Sequence, residues 1–573
     1  MPPPPFSLQN IVRQLLFLLS KREKLLFILV FIMSLVFSVI ELIGISAIIP
    51  FMSVVTNPGR IQSNKYLNFV YSTIGFNSEN EFIKIFCVFI MIFYIIRGIY
   101  VVFYNYAVNR YSFNRQHVIA SKLFEKYLDL PYVIFTKKNS SDLTKALITE
   151  TYYYSLLLNQ LLFFFSEIIL LILLYSLLMI VQWEITVIIS ISIGLLVFIL
   201  TRIVSGKSKQ QGINRESLQG KLFRIINEAL RNFKIIKLSA NKHGVVNRFI
   251  KISESLSHEF ASHRTLSSVP RNVMETIGFT VLMLIFLYFT FINQSITAFI
   301  PIISTFVLAL FRMMPAANRI IIHYNNILYS YHSLDILFNE LQQPIETKEN
   351  DSLTFNKSIK LKNISFKYQN DGQPILNNIS FTIQKGSKVG IIGESGSGKS
   401  TLIDLIITML RPTSGEIFVD NVKLDTKNLA SWRQKIGYIP QDIYLFDGTA
   451  AENISFGYNY DEQKIAESLS MANIYDFLNQ EEGLKTLVGE DGILLSGGQK
   501  QRIGIARALY GDPEILIFDE ATSALDNETE AKIIEEIFSI GRDKTMIIVA
   551  HRPSMIKNCN VVYKLVEGRL MLI

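Results

Sequence analysis

The chain has 573 residues, of which 50% are hydrophobic, and a mean hydropathy of +0.31. It is too apolar for an ordinary soluble protein and too long for a single domain. Its formal net charge of +8 is uneven, with +13 in residues 1–350 and −5 in residues 351–573. Because the basic residues alternate with apolar runs instead of covering one compact face, they favour anionic lipid as a partner and argue against nucleic acid.

Six apolar segments in the first half are long enough to cross a bilayer, which takes about 20 helical residues. The connections after the second and fourth segments are rich in Lys and Arg, whereas the loops around Trp183 and Gln294 carry none. By the positive-inside rule, both termini are expected in the cytoplasm. The spans are predicted at 25–55, 82–107, 153–181, 185–204, 269–292 and 298–322.

The two long basic connections have helical patterns, so the spans are expected to continue as helices into the cytoplasm. The tip of each connection then needs a surface to dock on, unless the helices are merely solvated stalks. The loop between the first two spans has apolar residues at helical spacing within 66–71. That spacing is compatible with a short amphipathic helix in the outer interface or with a plain loop.

The pattern changes after Leu341. A polar segment, 344–356, is predicted to be a linker. Short strands alternate with helices from Ser358 onward, as in a soluble α/β domain. The sequence therefore predicts an all-α membrane domain of six spans over 1–343 and a cytoplasmic α/β P-loop NTPase domain over 357–573.

A phosphate-binding loop opens the second domain. Val389–Ile392 is predicted as a buried strand, and an apolar-periodic helix follows over 402–406. Between them, glycines allow successive backbone N–H groups to turn towards an anion at a helix N-terminus. Lys399 is expected to contact the β- and γ-phosphates, and the Ser400 hydroxyl to ligate Mg²⁺. The residues of this loop are Gly393, Glu394, Ser395, Gly396, Ser397, Gly398, Lys399, Ser400 and Thr401.

Two carboxylates follow a second apolar strand, 515–518. Asp519 is predicted to hold Mg²⁺ through water, and Glu520 to polarise the attacking water. A surface acidic pair is improbable there, because two unpaired carboxylates directly after a buried strand would be costly. A third strand, 546–550, ends at His551, which is expected to contact the γ-phosphate.

The sequence Leu-Ser-Gly-Gly-Gln at 495–499 identifies a resemblance to the ATP-binding cassette (ABC) proteins that covers nearly the whole chain. Six spans followed by one cassette is the layout of an exporter half-transporter. The resemblance implies ATP and Mg²⁺ as cofactors, with Ser400, Gln441 and Asp519 around the metal. It implies further roles at Tyr368 (adenine stacking), Gln441 (phosphate sensing), Ser496, Gly497, Gly498 and Gln499 (signature motif) and Asp526 (the loop at 523–526).

One copy of each motif in the chain implies a homodimer, because in this family the signature motif of one cassette closes over the phosphate loop of the other. Glu490-Asp491-Gly492 departs from the Glu-Arg-Gly of many exporters, which puts only that local contact in doubt.

The cargo must be inferred from the membrane half, where Arg97, Arg271 and Arg312 lie within or beside predicted spans. Ionisable groups at such depth usually face a cavity or a partner. Arginines of a dimer cavity would suit a diphosphate, although Arg271 could instead pair with Glu275 four residues on.

Residues 269–279 and 308–321 also resemble the PglK-type flippases of bacterial lipid-linked oligosaccharides. This resemblance implies movement of a polyprenyl-diphosphate glycan from the cytoplasmic to the outer leaflet of the bacterial inner membrane, in support of protein glycosylation or surface glycan assembly. An exporter of lipids or hydrophobic drugs is the alternative. A channel or regulator without transport activity is disfavoured, because both Glu520 and His551 are present.

Overall fold

The structure, a computed structural model, describes residues 8–573 except 57, 77, 182, 240–241, 292–295, 347–348, 350, 369–372, 521–534 and 551–555. Side chains in parts of some helices also lie outside the description. The chain forms two compact units. The first contains the described residues up to Asp129 together with Lys138–Gln343, and the second contains Leu130–Lys137 together with Pro344–Ile573.

Long helices build the first unit, as the apolar runs predict. A π-helical turn, Ala146–Glu150, lies directly before the helix that begins at Thr151, and the short helix Tyr132–Phe135 belongs to the second unit. The helices in chain order are α1 (Leu8–Leu18), α2 (Lys21–Thr56), α3 (Arg60–Ser63), α4 (Lys65–Ile74), α5 (Glu79–Leu128), α6 (Tyr132–Phe135), α7 (Ser140–Lys145), α8 (Thr151–Val181), α9 (Trp183–Arg231), α10 (Phe233–Leu238), α11 (Lys242–Phe291) and α12 (Ile296–Leu341).

Three stretches of the described chain are long and apolar enough to cross a membrane: Lys21–Gly44, Glu79–Leu128 and Ser140–Ile180. They correspond to the first three predicted spans, and α9, α11 and α12 run through the other three. The 50 residues of α11 would extend about 75 Å at 1.5 Å per residue, far more than a bilayer requires. The helical continuation expected from the basic connections is therefore present.

The loop between the first two spans contains a helix, α4, in agreement with the first of the two alternatives. The Asn64 side chain caps its N-terminus, and Gly75 ends it in the left-handed conformation at φ 75°. Tyr71 packs against an apolar cluster that includes Phe82. On the opposite side Tyr66 is 82% exposed.

A buried ion pair joins three elements of the first unit. Arg215 of α9 and Glu150 of the π-helical turn are both fully buried, with Nη2 of Arg215 3.3 Å from Oε2 of Glu150. Ser333 of α12 bonds to both groups, and the ring of Tyr153 lies 3.3 Å from the guanidinium carbon. Since an unpaired charge at this depth is strongly unfavourable, the pair fixes the register of these helices.

The second unit contains two sheets. A four-stranded antiparallel sheet has the order β2-β1-β4-β5, and a six-stranded sheet has the order β10-β9-β3-β8-β7-β6. The latter is parallel from β6 to β9, and β10 joins it antiparallel. The strands are β1 (Ser358–Phe366), β2 (Leu376–Gln384), β3 (Lys388–Gly393), β4 (Ser414–Val419), β5 (Val422–Lys423), β6 (Ile436–Ile439), β7 (Ile515–Asp519), β8 (Thr545–Ala550), β9 (Val561–Val566) and β10 (Arg569–Leu572).

Helices of the second unit lie between these strands in the chain. They are α13 (Lys399–Ile406), α14 (Leu429–Arg433), α15 (Ala450–Ile454), α16 (Glu462–Met471), α17 (Tyr475–Gln480) and α18 (Gly497–Leu509). Central strands bury both faces: Leu516 and Phe518 pack into one apolar cluster, whereas Ile515 and Ile517 pack into the other. This arrangement is the one expected of a parallel sheet covered on both sides.

Part of the segment predicted as a linker, 344–356, is buried in the second unit. Leu353 and Phe355 are only 4% and 1% exposed and belong to an apolar cluster of the second unit. Glu346 accepts hydrogen bonds from both terminal nitrogens of Arg433. Two apolar side chains among polar neighbours gave too weak a pattern to indicate this burial. Val133 of α6 packs against the same cluster.

Candidate functional site

The phosphate-binding loop lies between β3 and α13, as the sequence predicts. Gly396 and Gly398 have φ values of 79° and 104°, which side chains with a Cβ rarely adopt. A Cβ on Gly393 would lie 2.5 Å from the backbone oxygen of Leu565. The glycines are thus required by backbone conformation at two positions and by close packing at the third.

Lys399 lies inside this loop. Its side chain is 4% exposed, and Nζ donates to the backbone oxygens of Gly393 and Glu394, both at 3.0 Å. Glu394, Ser395 and Ser400 are exposed around it. A buried ammonium surrounded by loop amides at a helix N-terminus is suited to bind the phosphates of a nucleotide.

Asp519 and Glu520 follow β7 at the carboxyl edge of the parallel sheet. Asp519 is 7% exposed, and its Oδ2 accepts a hydrogen bond from the Tyr438 hydroxyl at 3.2 Å. Burial raises the pKa of Asp519, and the neighbouring Glu520 adds to the shift. Glu520 has a φ of 52°, and its backbone N–H donates to Val549 of β8 at 3.0 Å. Left-handed backbone at a non-glycine residue is frequently associated with a functional site.

Asp404 is an acidic neighbour that the sequence analysis did not identify. It lies on α13, the helix that Lys399 opens. Burial raises its pKa to about 6, and the charge of Asp519 contributes. No pattern in the sequence indicates this residue, because a single Asp in an apolar helix is usually on the solvent side.

The signature motif begins α18 with a capping box. The backbone N–H of Ser496 donates to the Gln499 side chain at 2.8 Å, and the N–H of Gln499 donates back to the Ser496 hydroxyl at 3.3 Å. Gly497 lies between them at the exposed first position of the helix. The helix N-terminus of the motif is therefore exposed to solvent.

Tyr368 is half exposed, and its hydroxyl lies 3.4 Å from the hydroxyl of Thr401 in the phosphate loop. Its ring therefore lies beside the loop, where it can stack on an adenine. Gln441 is exposed after β6. His551 and the loop at 523–526 with Asp526 lie outside the described residues.

Two of the three membrane arginines have acidic partners. The Nη2 atom of Arg97 lies 2.7 Å from both carboxylate oxygens of Glu41, which lies 56 residues earlier on α2. Arg271 pairs with Glu275 at 2.9 Å, the alternative considered from the sequence, yet its side chain is 67% exposed. Arg312 lies on α12, and its side chain lies outside the description.

A cavity of about 430 Å³ lies between α11 and α12. Sequence reasoning missed one of its cations, Arg319, whose Nε lies 2.6 Å from Oε1 of Glu167 on α8. These two residues are 152 positions apart, so only the fold could pair them. The lining residues are Arg271, Met274, Glu275, Met314, Pro315, Asn318, Arg319 and Ile322. Two cations, one carboxylate and one amide thus face an otherwise largely apolar space.

Comparison with known families gives two matches. The family described as ABC transporter transmembrane region matches residues 24–315, slightly more than half of the chain. The family described as ABC transporter matches residues 376–523, which include the phosphate loop, the signature motif and Asp519.

Relatives with a stated function are ATP-dependent lipid A-core flippases. That of Wigglesworthia glossinidia brevipalpis is 28% identical over 464 residues, covering 79% of each chain. That of Escherichia coli is 28% identical over 481 residues, covering 83% of this chain and 82% of the relative. These relatives do not specifically support the PglK-type resemblance. A bacterial Atm1-family ABC exporter solved with ATP bound has a similar fold, with a TM-score of 0.76 at 22% identity over 96% of this chain and 94% of that one.

Proposed function

The chain belongs to the ABC transporters with a transmembrane region, and we propose that it is an ATP-driven flippase for a polyprenyl-diphosphate-linked glycan. The movement would be from the cytoplasmic to the outer leaflet of a bacterial inner membrane. The two family matches support an ATPase coupled to transport in an exporter half-transporter. The glycan substrate and the direction of its movement are what we propose in addition.

In this proposal ATP lies between Tyr368 and the phosphate loop. Lys399 and the loop amides hold the β- and γ-phosphates and favour the charge that develops during phosphoryl transfer. Glu520 orients and deprotonates the attacking water, and its left-handed backbone and bond to Val549 fix its direction. Gln441 and His551 are proposed to contact the γ-phosphate side of the site.

The residues around the phosphate loop fit Mg²⁺. This ion commonly keeps several waters and takes few protein ligands, and the pair of an exposed Ser400 hydroxyl and a buried Asp519 carboxylate matches that preference. Ser400 and Gln441 would bind directly and Asp519 through water. When bound, the ion would neutralise charge between the β- and γ-phosphates.

A homodimer is proposed as the working form, with two composite ATP sites. The signature motif presents an open helix N-terminus, which suits the phosphates of a nucleotide held by another cassette. In the first unit, α10 exposes Phe233, Ile235 and Leu238 at 59%, 63% and 78%. Three exposed apolar side chains on a six-residue helix favour a partner surface over a solvated tip.

The observation that carries the substrate proposal is the cavity lined by Arg271, Asn318 and Arg319 beside Met274 and Met314. Guanidinium groups form two-pronged contacts with diphosphate oxygens, and the apolar side would tolerate a lipid. The side chain of Arg271 is largely exposed, so its ion pair with Glu275 is weak. Replacing that pair by a contact with an anionic ligand therefore costs little free energy.

A lipid of the lipid A-core type is the second candidate, favoured by the names of the relatives. Reconstituted protein would decide between them. ATP hydrolysis and flipping would be measured in liposomes with a polyprenyl-diphosphate glycan, with lipid A-core and with a hydrophobic drug. Stimulation by the diphosphate-linked glycan is expected, and stimulation by lipid A-core alone would favour the second candidate.

A further inference from the structure

A second cavity, of about 480 Å³, lies between α8, α11 and α12 of the first unit. Its volume is in the range of roughly 300–1,000 Å³ typical of small-molecule sites. We call it the aromatic pocket. It is lined by Tyr153, Leu156, Gln160, Phe260, His263, Arg264, Asn326, Tyr329 and Ser330.

The polar groups of the aromatic pocket are mostly neutral. Gln160 and Asn326 supply amides, joined by a 3.3 Å bond from Nδ2 of Asn326 to Oε1 of Gln160. Burial lowers the pKa of His263 to about 4; an interaction with the Asn326 side chain opposes this shift, and the charges of Arg215 and Arg264 add to it, so the imidazole is neutral at pH 7. No carboxylate is among the described residues that line the pocket. Neutral donors and acceptors of this kind suit hydroxyl groups better than a second anion.

Two polar atoms of the pocket residues lack a hydrogen bond. The Nδ1 atom of His263 and the hydroxyl of Tyr329 are buried and have no hydrogen-bond partner among the described residues. Buried polar atoms are nearly always satisfied, so an orphan atom at a cavity wall indicates a group that the cavity receives. The His263 ring itself is fixed, since it stacks on Tyr329 with centroids 3.7 Å apart and planes at 11°.

The walls are aromatic. Tyr153 and Tyr329 meet edge to face at 5.9 Å, and the guanidinium carbon of the buried Arg215 lies 3.3 Å from the ring centroid of Tyr153. Phe260 is 41% exposed at the pocket. Rigid aromatic faces beside amide groups match a ring that has apolar C–H faces and polar edges, which is the character of a pyranose.

The aromatic pocket and the cavity lined by Arg271 and Arg319 both lie along the contact between α11 and α12. Arg264 precedes Arg271 by seven residues on α11, and Asn326 follows Arg319 by seven on α12. Seven residues are two helical turns, or about 10 Å, and keep nearly the same face. A short saccharide attached to a diphosphate can bridge that distance.

We propose that the aromatic pocket is a carbohydrate subsite, which binds the sugars nearest to the diphosphate while Arg271 and Arg319 hold the diphosphate. This inference rests on the proposed function and deepens it. It gives the transporter a means to prefer a glycosylated carrier over the bare diphosphate lipid. His263 and Asn326 are the residues that contact sugar hydroxyls.

The test uses the full-length protein in lipid nanodiscs. Two probes are compared by half-maximal stimulation of ATP hydrolysis: a polyprenyl diphosphate without sugar and the same lipid with a disaccharide. The variants are His263→Gln and Asn326→Ala, with His258→Gln, an exposed histidine of the same helix, as the matched control. Tyr329→Phe removes only a hydroxyl. It replaces either pocket variant whose melting temperature is lower than that of the wild type.

The wild type is expected to respond to the glycosylated lipid at an at least tenfold lower concentration than to the bare lipid. Each pocket variant should lose most of that difference and keep its response to the bare lipid. Equal responses of the wild type to both probes, unchanged in the variants, would overturn the carbohydrate subsite and leave the diphosphate proposal intact. A wild type that responds to neither probe but responds to lipid A-core would overturn the proposed function itself.

Discussion

The ammonium nitrogen of Lys399 lies 3.6 Å from Oε1 of Glu520, and both side chains are largely buried, at 4% and 12% exposure. The phosphate loop and the end of β7 therefore meet at one point, where a γ-phosphate and its attacking water would lie. The cation of the loop, Lys399, therefore lies next to the proposed base, Glu520.

Glu520→Gln should bind ATP and lose its hydrolysis. The amide keeps the shape of the side chain but cannot accept the proton of water, so turnover should fall by at least ~10²-fold. ATPase assays beside nucleotide-binding measurements check this, with Glu481→Gln, an exposed position, as the control. Turnover near that of the wild type would mean that another group is the base.

Asp404 should make the stability of the protein depend on pH. Its pKa is raised to about 6 from 3.8, so the fold disfavours its charged form. The free-energy cost of this charge is absent below the pKa of the unfolded state, 3.8, and is complete once the pH exceeds the pKa of the folded state, about 6. Asp404→Asn should therefore stabilise the protein at pH 7.5, by about 1–2 kcal/mol after solvent screening, and have little effect near pH 4. Thermal melting at both pH values checks this, and an equal effect at both would contradict it.

The two ATP sites should be composite. A mixed dimer with Lys399→Ala in one chain and Ser496→Arg in the other places both lesions in one site and leaves the opposite site intact. A chain with both lesions, paired with a wild-type chain, damages both sites. ATP turnover of purified mixed dimers should be measurable in the first case and nearly absent in the second. Identical turnover in both would exclude the exchange of motifs between chains.

Arg97 should contribute to stability through Glu41. Its guanidinium contacts both oxygens of that carboxylate and lies 5.3 Å from the ring centroid of Tyr94. Arg97→Gln leaves Glu41 unpaired and should cost about 1–3 kcal/mol. The double variant with Glu41→Gln should recover part of this loss. Melting of both variants in detergent checks the pairing, and additive losses would show that the two side chains are not coupled.

Local signals predicted the strands, loop and helix start that carry the candidate nucleotide site. The phosphate loop, the run before Asp519 and the capping box of Ser496 and Gln499 are each set by residues adjacent in sequence, so their spacing specifies their geometry. The fold class was confirmed for the same reason, since long apolar runs and alternating strands are local patterns.

Tertiary pairing could not be predicted. Arg97 and Glu41 are 56 residues apart, and Arg319 and Glu167 are 152 apart, so no periodicity connects them. The burial of Leu353 depends likewise on a cluster formed by distant strands. Sequence alone therefore located the membrane charges without indicating which of them already have partners.

The central claim is that Arg271 and Arg319 hold a diphosphate during flipping. The most direct test is the flipping of a polyprenyl-diphosphate glycan in proteoliposomes by the double variant Arg271→Gln/Arg319→Gln, measured beside basal ATPase activity and melting, with Arg248→Gln, an exposed residue of α11, as the control. Loss of two charge-assisted contacts should lower flipping by at least ~10-fold and leave basal hydrolysis near that of the wild type, while the melting temperature should fall because the change at Arg319 leaves the buried Glu167 unpaired. Flipping of that lipid by the double variant at the wild-type rate would contradict the account.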